Sequence, residues 1–258
     1  MRYFTEFAYN GTNFHGSQRQ PNGITVQEVL EDAFSTVMRQ QVALTFAGRT
    51  DAGVHAEQMF AHFDLEEQET RNKDNNPTGM VQRLNSLLPP AIAVRNIFPV
   101  PEDAHARFSA IERTYEYRIT TVKDPFRQNL VTQVATGLDF DAMNKAAQVL
   151  LGKHDFASFC KVHTDVKTTF CTITRAEWKD NAVFHISADR FLRNMVRAVV
   201  GTLFEVGRGK MTIDDFRQVI EAHNRSAAGQ SAPPQGLYLT RICYPFEIPI
   251  TGDCTLQE

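Results

Sequence analysis

The stretch of this sequence best suited to chemistry is Ala47–His55, which reads Ala-Gly-Arg-Thr-Asp-Ala-Gly-Val-His. Two glycines bracket Arg49, Thr50 and Asp51 directly after a β-rich run, which predicts a tight loop displaying a guanidinium and a carboxylate. A phosphate-binding loop would end in Gly-Lys-Ser/Thr, whereas a valine follows the second glycine here. Two interpretations remain: a turn whose aspartate caps backbone amides, or a displayed nucleophile or general base.

Three arginines form a second candidate group. Arg190, Arg193 and Arg197 stand at i, i+3 and i+7 of a predicted helix, on the border of its apolar face. One interpretation is a solvated helix face. The other is that an arginine at the edge of the buried face pairs with a carboxylate from a loop, which would favour the ionised carboxylate.

A third group lies on a predicted strand after the segment His105–Ser109. Tyr115 and Tyr117 share one face of this strand, and Arg118 lies on the other. Interleaved aromatic and basic residues suit stacking on bases and neutralisation of phosphates. An ordinary core strand that carries tyrosines is the alternative.

Metal binding and export are not indicated. Cys160, His163 and Cys171 could supply three zinc ligands, but no second close pair completes a set. The four cysteines contain no C-x-x-C pair, which is typical of a reducing compartment, so the cytoplasm is expected. An acidic residue near the N-terminus and the lack of a long apolar run predict neither a signal peptide nor a membrane span.

Hydrophobic periodicity locates the elements that would hold these residues. Helices are predicted at residues 25–38, 78–88, 141–151 and 190–206, and from 212 onward. Strands are predicted at residues 3–9, 42–47, 59–65, 92–100, 115–121, 173–178, 183–188 and 237–244. Residues 66–79, acidic and then rich in Asn, predict a solvated loop insertion.

The mixture of helices with hairpin-like strand spacings predicts an α+β fold. We expect two similar α/β halves, each a mostly antiparallel sheet flanked by helices. The predicted domains are residues 1–104, which carry the Asp51 loop, and residues 105–258, which carry the tyrosine strand and the arginine helix.

Taken together, the motifs resemble the tRNA pseudouridine synthase A family, over about residues 2 to 245. The matching motifs occur in the family's order: Tyr9–Gly11, Gln18–Gln20, Val26–Gln27, Gly48–Ala56, His105–Ala110, Arg113–Tyr115, Gly152–Phe156, Phe191–Arg197 and Gly236–Leu239. One departure is Ser17, where the family usually has Trp, and it puts local packing or an RNA contact in question.

The resemblance implies a cytoplasmic isomerase, usually a homodimer, that converts uridine to pseudouridine at positions 38, 39 and 40 of the tRNA anticodon stem-loop. It implies two α/β domains around a basic active-site cleft, with no metal and no cofactor. By match to the family, Asp51 is the catalytic nucleophile and Arg197 its partner. Tyr115 contacts the target base, and Arg49 lies near the flipped nucleotide.

The chemistry agrees with this interpretation and leaves some alternatives open. Isomerising uridine adds and removes nothing, so one carboxylate suffices, acting at uracil C6, at ribose C1′ or by stabilising cationic character at the sugar. A non-catalytic tRNA-binding or chaperone protein of the same fold is the alternative function. The net charge of −3 argues against RNA, but charge is segregated along the chain. If six arginines surround one cleft, the field there is positive despite the negative total; they are Arg107, Arg113, Arg118, Arg190, Arg193 and Arg197.

Overall fold

The computed structural model describes residues 1–65, 77–161 and 167–249. The chain divides into two compact units: unit 1 contains Met1–Ile111 and the residues from Arg241 onward, and unit 2 contains Glu112–Thr240. The sequence predicted a single boundary after residue 104. The return of the chain to unit 1 at Arg241 rests on contacts between distant residues, which no local pattern signals. That the two parts are independent domains stays a prediction.

Unit 1 is built on a three-stranded antiparallel arrangement with β1 at its centre. The described elements are strands β1 (Arg2–Tyr9), β2 (Thr45–Phe46), β3 (His55–Asp64) and β4 (Ile92–Pro99), with helices α1 (Val26–Met38) and α2 (Pro77–Leu87). β1 pairs with both β3 and β4, and the short β2 pairs with β3. β3 begins directly after the Asp51 loop, so its pairing with β1 holds one end of that loop.

Both faces of β1 are buried, which explains its apolar character. Phe4 lies on one face in an aromatic cluster, with its ring centroid 5.2 Å from that of Tyr244. On the other face of the sheet, the ring of Phe34 on α1 packs against that of Phe63 on β3, with centroids 5.2 Å apart. The predicted helix from residue 25 is confirmed, with the Thr25 side chain accepting from the amide of Glu28 at its N-terminus.

Unit 2 is an antiparallel sheet with three helices. Its elements are β5 (Glu112–Thr120), β6 (Thr132–Gln133), α3 (Phe140–Gln148), β7 (Gly152–Asp155), β8 (Phe170–Lys179), β9 (Val183–Ala188), α4 (Met195–Gly207) and α5 (Ile213–Glu221). The strand order is β7-β8-β9-β5, and β6 runs parallel to β5. A final strand, β10 (Leu237–Cys243), carries the chain from unit 2 back into unit 1.

Helix α4 packs on the β5 face that holds Tyr117. The ring centroids of Tyr117 and of Phe204, on α4, lie 6.1 Å apart. The Phe204 ring also lies 5.9 Å, centroid to centroid, from that of Trp178 on β8. The residue types of Lys179, Asp180 and Asn181 predict a hairpin turn, and this is confirmed, because Asp180 and Asn181 both have φ of 51° between β8 and β9.

The start of α4 differs from the prediction. The helix begins at Met195 and not near residue 190, because Asn194 adopts the left-handed conformation with φ of 64° and interrupts the α-helical backbone. Of the three arginines predicted on one helical stripe, only Arg197 is therefore on the helix. Arg190 and Arg193 lie in the segment between β9 and α4.

The α+β class with mostly antiparallel pairing is confirmed. The strands at residues 132–133 and 152–155 were not predicted, and β2 is shorter than the expected run at 42–47. Residues 66–76 of the predicted insertion lie outside the described residues, and 77 onward forms α2. Among the described residues, no helix combines the length and the apolar character that crossing a membrane requires.

Candidate active site

The Asp51 loop connects β2 to β3. Val54 donates its amide to the main-chain carbonyl of Asp51 at 3.2 Å, and Gly53 takes a φ of 78°, so the loop is a closed turn. Arg49 is exposed and Asp51 half-buried, whereas Thr50 between them is 9% exposed. The loop thus leaves Arg49 exposed and Asp51 half-buried, and Thr50 is its buried residue.

The segment at residues 11–17 lies directly against this loop. A Cβ on Gly11 would overlap the carbonyl oxygen of Val54, and the Gly11 amide donates to Nδ1 of His55 at 3.0 Å. Gly16 has φ of 93°, and a Cβ there would lie 3.0 Å from the carbonyl oxygen of Thr50. Glycine is required at both positions because only a residue without a side chain permits this approach.

Ser17 completes that contact. Its side chain is fully buried, and its hydroxyl accepts from the Thr50 amide at 2.8 Å. Serine at this position put packing or an RNA contact in question, and the structure shows packing, because buried Ser17 lies against the Asp51 loop. In the sequence, Ser17 stands out only as a departure from the family that the motifs resemble.

Tyr115 lies in unit 2, on β5. Its ring is 8% exposed and meets the ring of Phe191 edge to face, with centroids 5.1 Å apart at 87°. In the sequence, Phe191 is only part of a matching motif, and this contact gives it the role of orienting the Tyr115 ring. Edge-to-face packing leaves a tyrosine ring in one orientation, as a stacking platform requires.

Tyr117, two residues along the same strand face, is structural. Its hydroxyl lies 2.7 Å from the Thr132 hydroxyl and donates to the Pro233 carbonyl at 2.9 Å. Burial raises the pKa of Tyr117 above its ordinary value, so the phenol stays protonated at neutral pH. The core-strand interpretation therefore holds for this tyrosine.

Arg197 lies in the first turn of α4, where a neighbouring segment fixes its side chain. Its Nε donates to the Ala232 carbonyl at 2.7 Å, and the Ala232 amide donates back to the Arg197 carbonyl at 2.8 Å. Asn194 holds the same segment by donating to the Ser231 hydroxyl at 2.7 Å. The main-chain carbonyl of Ala232 thus orients the Arg197 guanidinium through its Nε.

Arg118, one of the six arginines of the basic-cleft prediction, is held by two neighbours in unit 2, and that the six surround one cleft stays a prediction. Arg118 forms an ion pair with Glu116 at 2.7 Å and stacks over the Tyr238 ring at 4.0 Å. Because side chains alternate along a strand, this places Arg118 on the face opposite Tyr115 and Tyr117.

The four candidate residues fall into two pairs. Arg49 and Asp51 share one loop of unit 1, and Tyr115 and Arg197 belong to β5 and α4 of unit 2. The pairing of Asp51 with Arg197 stays a prediction.

Metal ligands do not gather in the described part of the chain. Within residues 1–65, 77–161 and 167–249, no three His, Cys, Asp or Glu side chains come together as a metal site. Cys160 and Cys171 are buried thiols, and burial raises the pKa of Cys171 to about 12, which disfavours the thiolate that zinc binds. His163, the third residue of the weak zinc candidate, lies outside the described residues.

A cavity of about 540 Å³ lies in unit 2 and is lined by residues of α3, β7 and α5 that include Lys145, His154 and Arg217. Nε2 of His154 lies 2.8 Å from the carbonyl oxygen of Leu151. None of the four candidate residues lines this cavity, so it is not part of the candidate site.

Comparison with known proteins agrees with the motifs. A family described as tRNA pseudouridine synthase matches residues 7–109 and 146–245, which include Asp51 and Arg197 but not Tyr115. A tRNA pseudouridine synthase A from Parabacteroides distasonis is 54% identical over 96% of this chain and 97% of its own length. Proteins of the same name from Porphyromonas gingivalis and Bacteroides fragilis are 52% and 53% identical, over 96% of this chain and 98% of theirs.

Proposed function

The chain belongs to the tRNA pseudouridine synthase family and isomerises uridine to pseudouridine in tRNA, and we propose that it acts at positions 38, 39 and 40 of the anticodon stem-loop. The observation that carries this proposal is the Gly48–Ala56 motif, held on a closed and anchored loop. The alternative, a non-catalytic tRNA-binding protein, is not favoured, since the relatives from Parabacteroides distasonis, Porphyromonas gingivalis and Bacteroides fragilis are each named a synthase.

The reaction balances without an added reagent. The bond between uracil N1 and ribose C1′ breaks, a bond between C5 and C1′ forms, N1 gains a proton and C5 loses one to solvent. We propose that the Asp51 carboxylate is the nucleophile of this reaction. A carboxylate on a loop that is already ordered loses little freedom when the substrate binds, which favours catalysis by positioning.

The other three residues would act on the base and on the carboxylate. Tyr115 would hold the flipped uracil against its ring, supported by Phe191. Arg197 would pair with the Asp51 carboxylate, and the bond from its Nε to the Ala232 carbonyl would orient the guanidinium. Arg49, exposed two residues before Asp51, would fill the space that the flipped base vacates.

The proposal also covers the oligomeric state, the compartment and the need for a cofactor. We infer from the family resemblance a cytoplasmic homodimer that needs neither metal nor cofactor. Sedimentation of the purified protein measures its oligomeric state, and a dimer would have twice the mass of the 29.2 kDa chain. A monomer at assay concentrations would contradict the dimer.

The position assignment is tested with purified protein and unmodified tRNA transcripts. Pseudouridine is mapped after reaction with transcripts that carry uridine at 38, 39 or 40, and with transcripts that carry cytidine at these positions. Product only at these three positions is expected. Product elsewhere would contradict the assignment, and tight binding without any product would support the non-catalytic alternative.

A further inference from the structure

Thr50, the residue before Asp51, has all three of its hydrogen-bonding groups held by residues outside the Asp51 loop. Its amide donates to the Ser17 hydroxyl at 2.8 Å, and its carbonyl accepts from the Ser17 amide at 3.1 Å. Its own hydroxyl lies 2.8 Å from that of Tyr9. The main chain just before Asp51 is therefore held in place at both the amide and the carbonyl of Thr50.

Ser17 is itself fixed to a rigid element. Its carbonyl accepts from the amide of Gln27 in α1 at 3.0 Å, and the preceding carbonyl, of Gly16, accepts from Val26 at 3.3 Å. The first turn of α1 thus supports Ser17, and Ser17 supports Thr50. This chain of contacts connects a helix to the residue next to the candidate nucleophile.

The Ser17 side chain supplies one bond that few residues could replace. Two of the three bonds to Thr50 come from the Ser17 main chain and from Tyr9, and they do not depend on the residue type at 17. The third needs a short acceptor in a fully buried position. A tryptophan at this position, for example, would offer only an N–H donor and could not accept from the Thr50 amide.

We propose that Ser17 is a positioning residue for the isomerisation, whose hydroxyl holds the Thr50 peptide and so sets the place of the Asp51 carboxylate. The proposal rests on the proposed role of Asp51 as nucleophile. Without the hydroxyl, the buried Thr50 amide has lost its acceptor, and the loop must shift to find another. Shifts of about 1 Å at reacting groups can lower rates by about 100-fold.

The test is Ser17→Ala, assayed for turnover and for tRNA affinity. We expect kcat to fall about 10- to 100-fold while KM for tRNA stays within about twofold, because the loop moves and the RNA-binding surface does not. An unchanged kcat would overturn the proposal. Equal losses in kcat and in affinity would also overturn it, because they would mark a general disturbance of binding.

The matched control is Ser158→Ala. Ser158 is as fully buried as Ser17, and its hydroxyl accepts one main-chain amide, that of Asn224 at 2.9 Å, in unit 2. Both variants lose one hydrogen bond from a main-chain amide to a fully buried serine hydroxyl, although Asn224 is exposed whereas Thr50 is buried. We expect Ser158→Ala to keep kcat within about twofold. A fall in kcat equal to that of Ser17→Ala would mean that loss of stability alone explains the effect.

Two further measurements keep the proposal falsifiable. Asp51→Asn in the same assay separates the two claims: an inactive Asp51→Asn beside a fully active Ser17→Ala contradicts only the positioning role, whereas an active Asp51→Asn contradicts the proposed nucleophile. If Ser17→Ala does not fold, hydrogen exchange at the Thr50 amide of the unaltered protein decides. Slow exchange is expected from the buried bond, and rapid exchange would overturn the proposal.

Discussion

Nδ1 of His62 accepts a hydrogen bond from the main-chain amide of Ala106 at 3.1 Å, in the core of unit 1. His62 is 7% exposed, and burial lowers its pKa to about 4, with the nearby His105 and Arg2 adding to the effect. An accepting Nδ1 has no proton, so this contact requires the neutral ring.

Stability should therefore fall in mild acid. The folded protein keeps His62 neutral down to about pH 4, whereas the unfolded chain protonates it near pH 6.5. Between these values the unfolded state binds more protons, so the free energy of unfolding decreases as the pH falls. Urea denaturation should show a loss of about 2 kcal/mol between pH 7 and pH 5 from this residue.

The variant His62→Gln isolates that contribution, because glutamine keeps an acceptor and does not titrate. We expect a smaller loss between pH 7 and pH 5 in His62→Gln than in the unaltered protein. His15→Gln, which replaces an exposed histidine in the same way, is the matched control. Identical pH dependence in all three proteins would contradict the assignment to His62.

Two glycine substitutions in helices should have opposite effects on stability. A Cβ on Gly201 of α4 would overlap the carbonyl oxygen of Gln230, so Gly201→Ala should lower the free energy of unfolding by about 3 kcal/mol. A Cβ on Gly79 of α2 meets no described atom within 4 Å, so Gly79→Ala should raise it by about 0.5 kcal/mol. Thermal or urea denaturation measures both, and shifts of the same sign would contradict the packing of α4.

Variants of the two tyrosines of β5 should distinguish a role in stacking on the target base from a role in packing the core. Tyr115→Leu removes the aromatic face and should lower kcat/KM about 10- to 100-fold, because stacking on a base is worth about 1 to 3 kcal/mol. Tyr117→Phe removes a buried hydroxyl and should lower stability by about 1 to 2 kcal/mol with little change in kcat/KM. Equal catalytic losses in both variants would contradict a special role for Tyr115.

Arg197→Met should impair turnover more than tRNA binding, since its proposed partner is the Asp51 carboxylate and not a phosphate. We expect kcat to fall at least about tenfold while Kd for tRNA stays within about threefold. The control is Arg208→Met, which removes an exposed ion pair with Glu205 at the other end of α4 and should change neither. Equal losses of binding and turnover would make Arg197 a phosphate contact.

Elements that depend on residues close together in sequence could be predicted from apolar spacing and turn residues. The spacing of Val26, Leu30 and Phe34 predicted α1, and the turn residues Asp180 and Asn181 predicted the β8–β9 hairpin. The start of α4 was missed because the left-handed Asn194 leaves no mark in the apolar periodicity. The return of β10 was missed as well, because its partners are distant in sequence.

The candidate site was predicted in a similar way. Glycine spacing predicted the Asp51 loop, and the structure shows that a main-chain bond to Asp51 closes the turn and that Thr50 anchors it. Ser17 could not be found from the sequence, because its role depends on a buried contact across 33 positions of the chain. Spacing alone left the role of Asp51 open, and the family resemblance selected the nucleophile.

The most direct test of this account is the release of tritium from tRNA labelled at uridine C5, measured with Asp51→Asn. Asparagine preserves the size of the side chain but removes the anionic nucleophile, so release should fall to the level without enzyme. Asp64→Asn changes a carboxylate at the other end of β3 that pairs with Arg2 at 2.8 Å, and it should release tritium at the rate of the unaltered protein. Substantial release by Asp51→Asn would contradict Asp51 as the nucleophile.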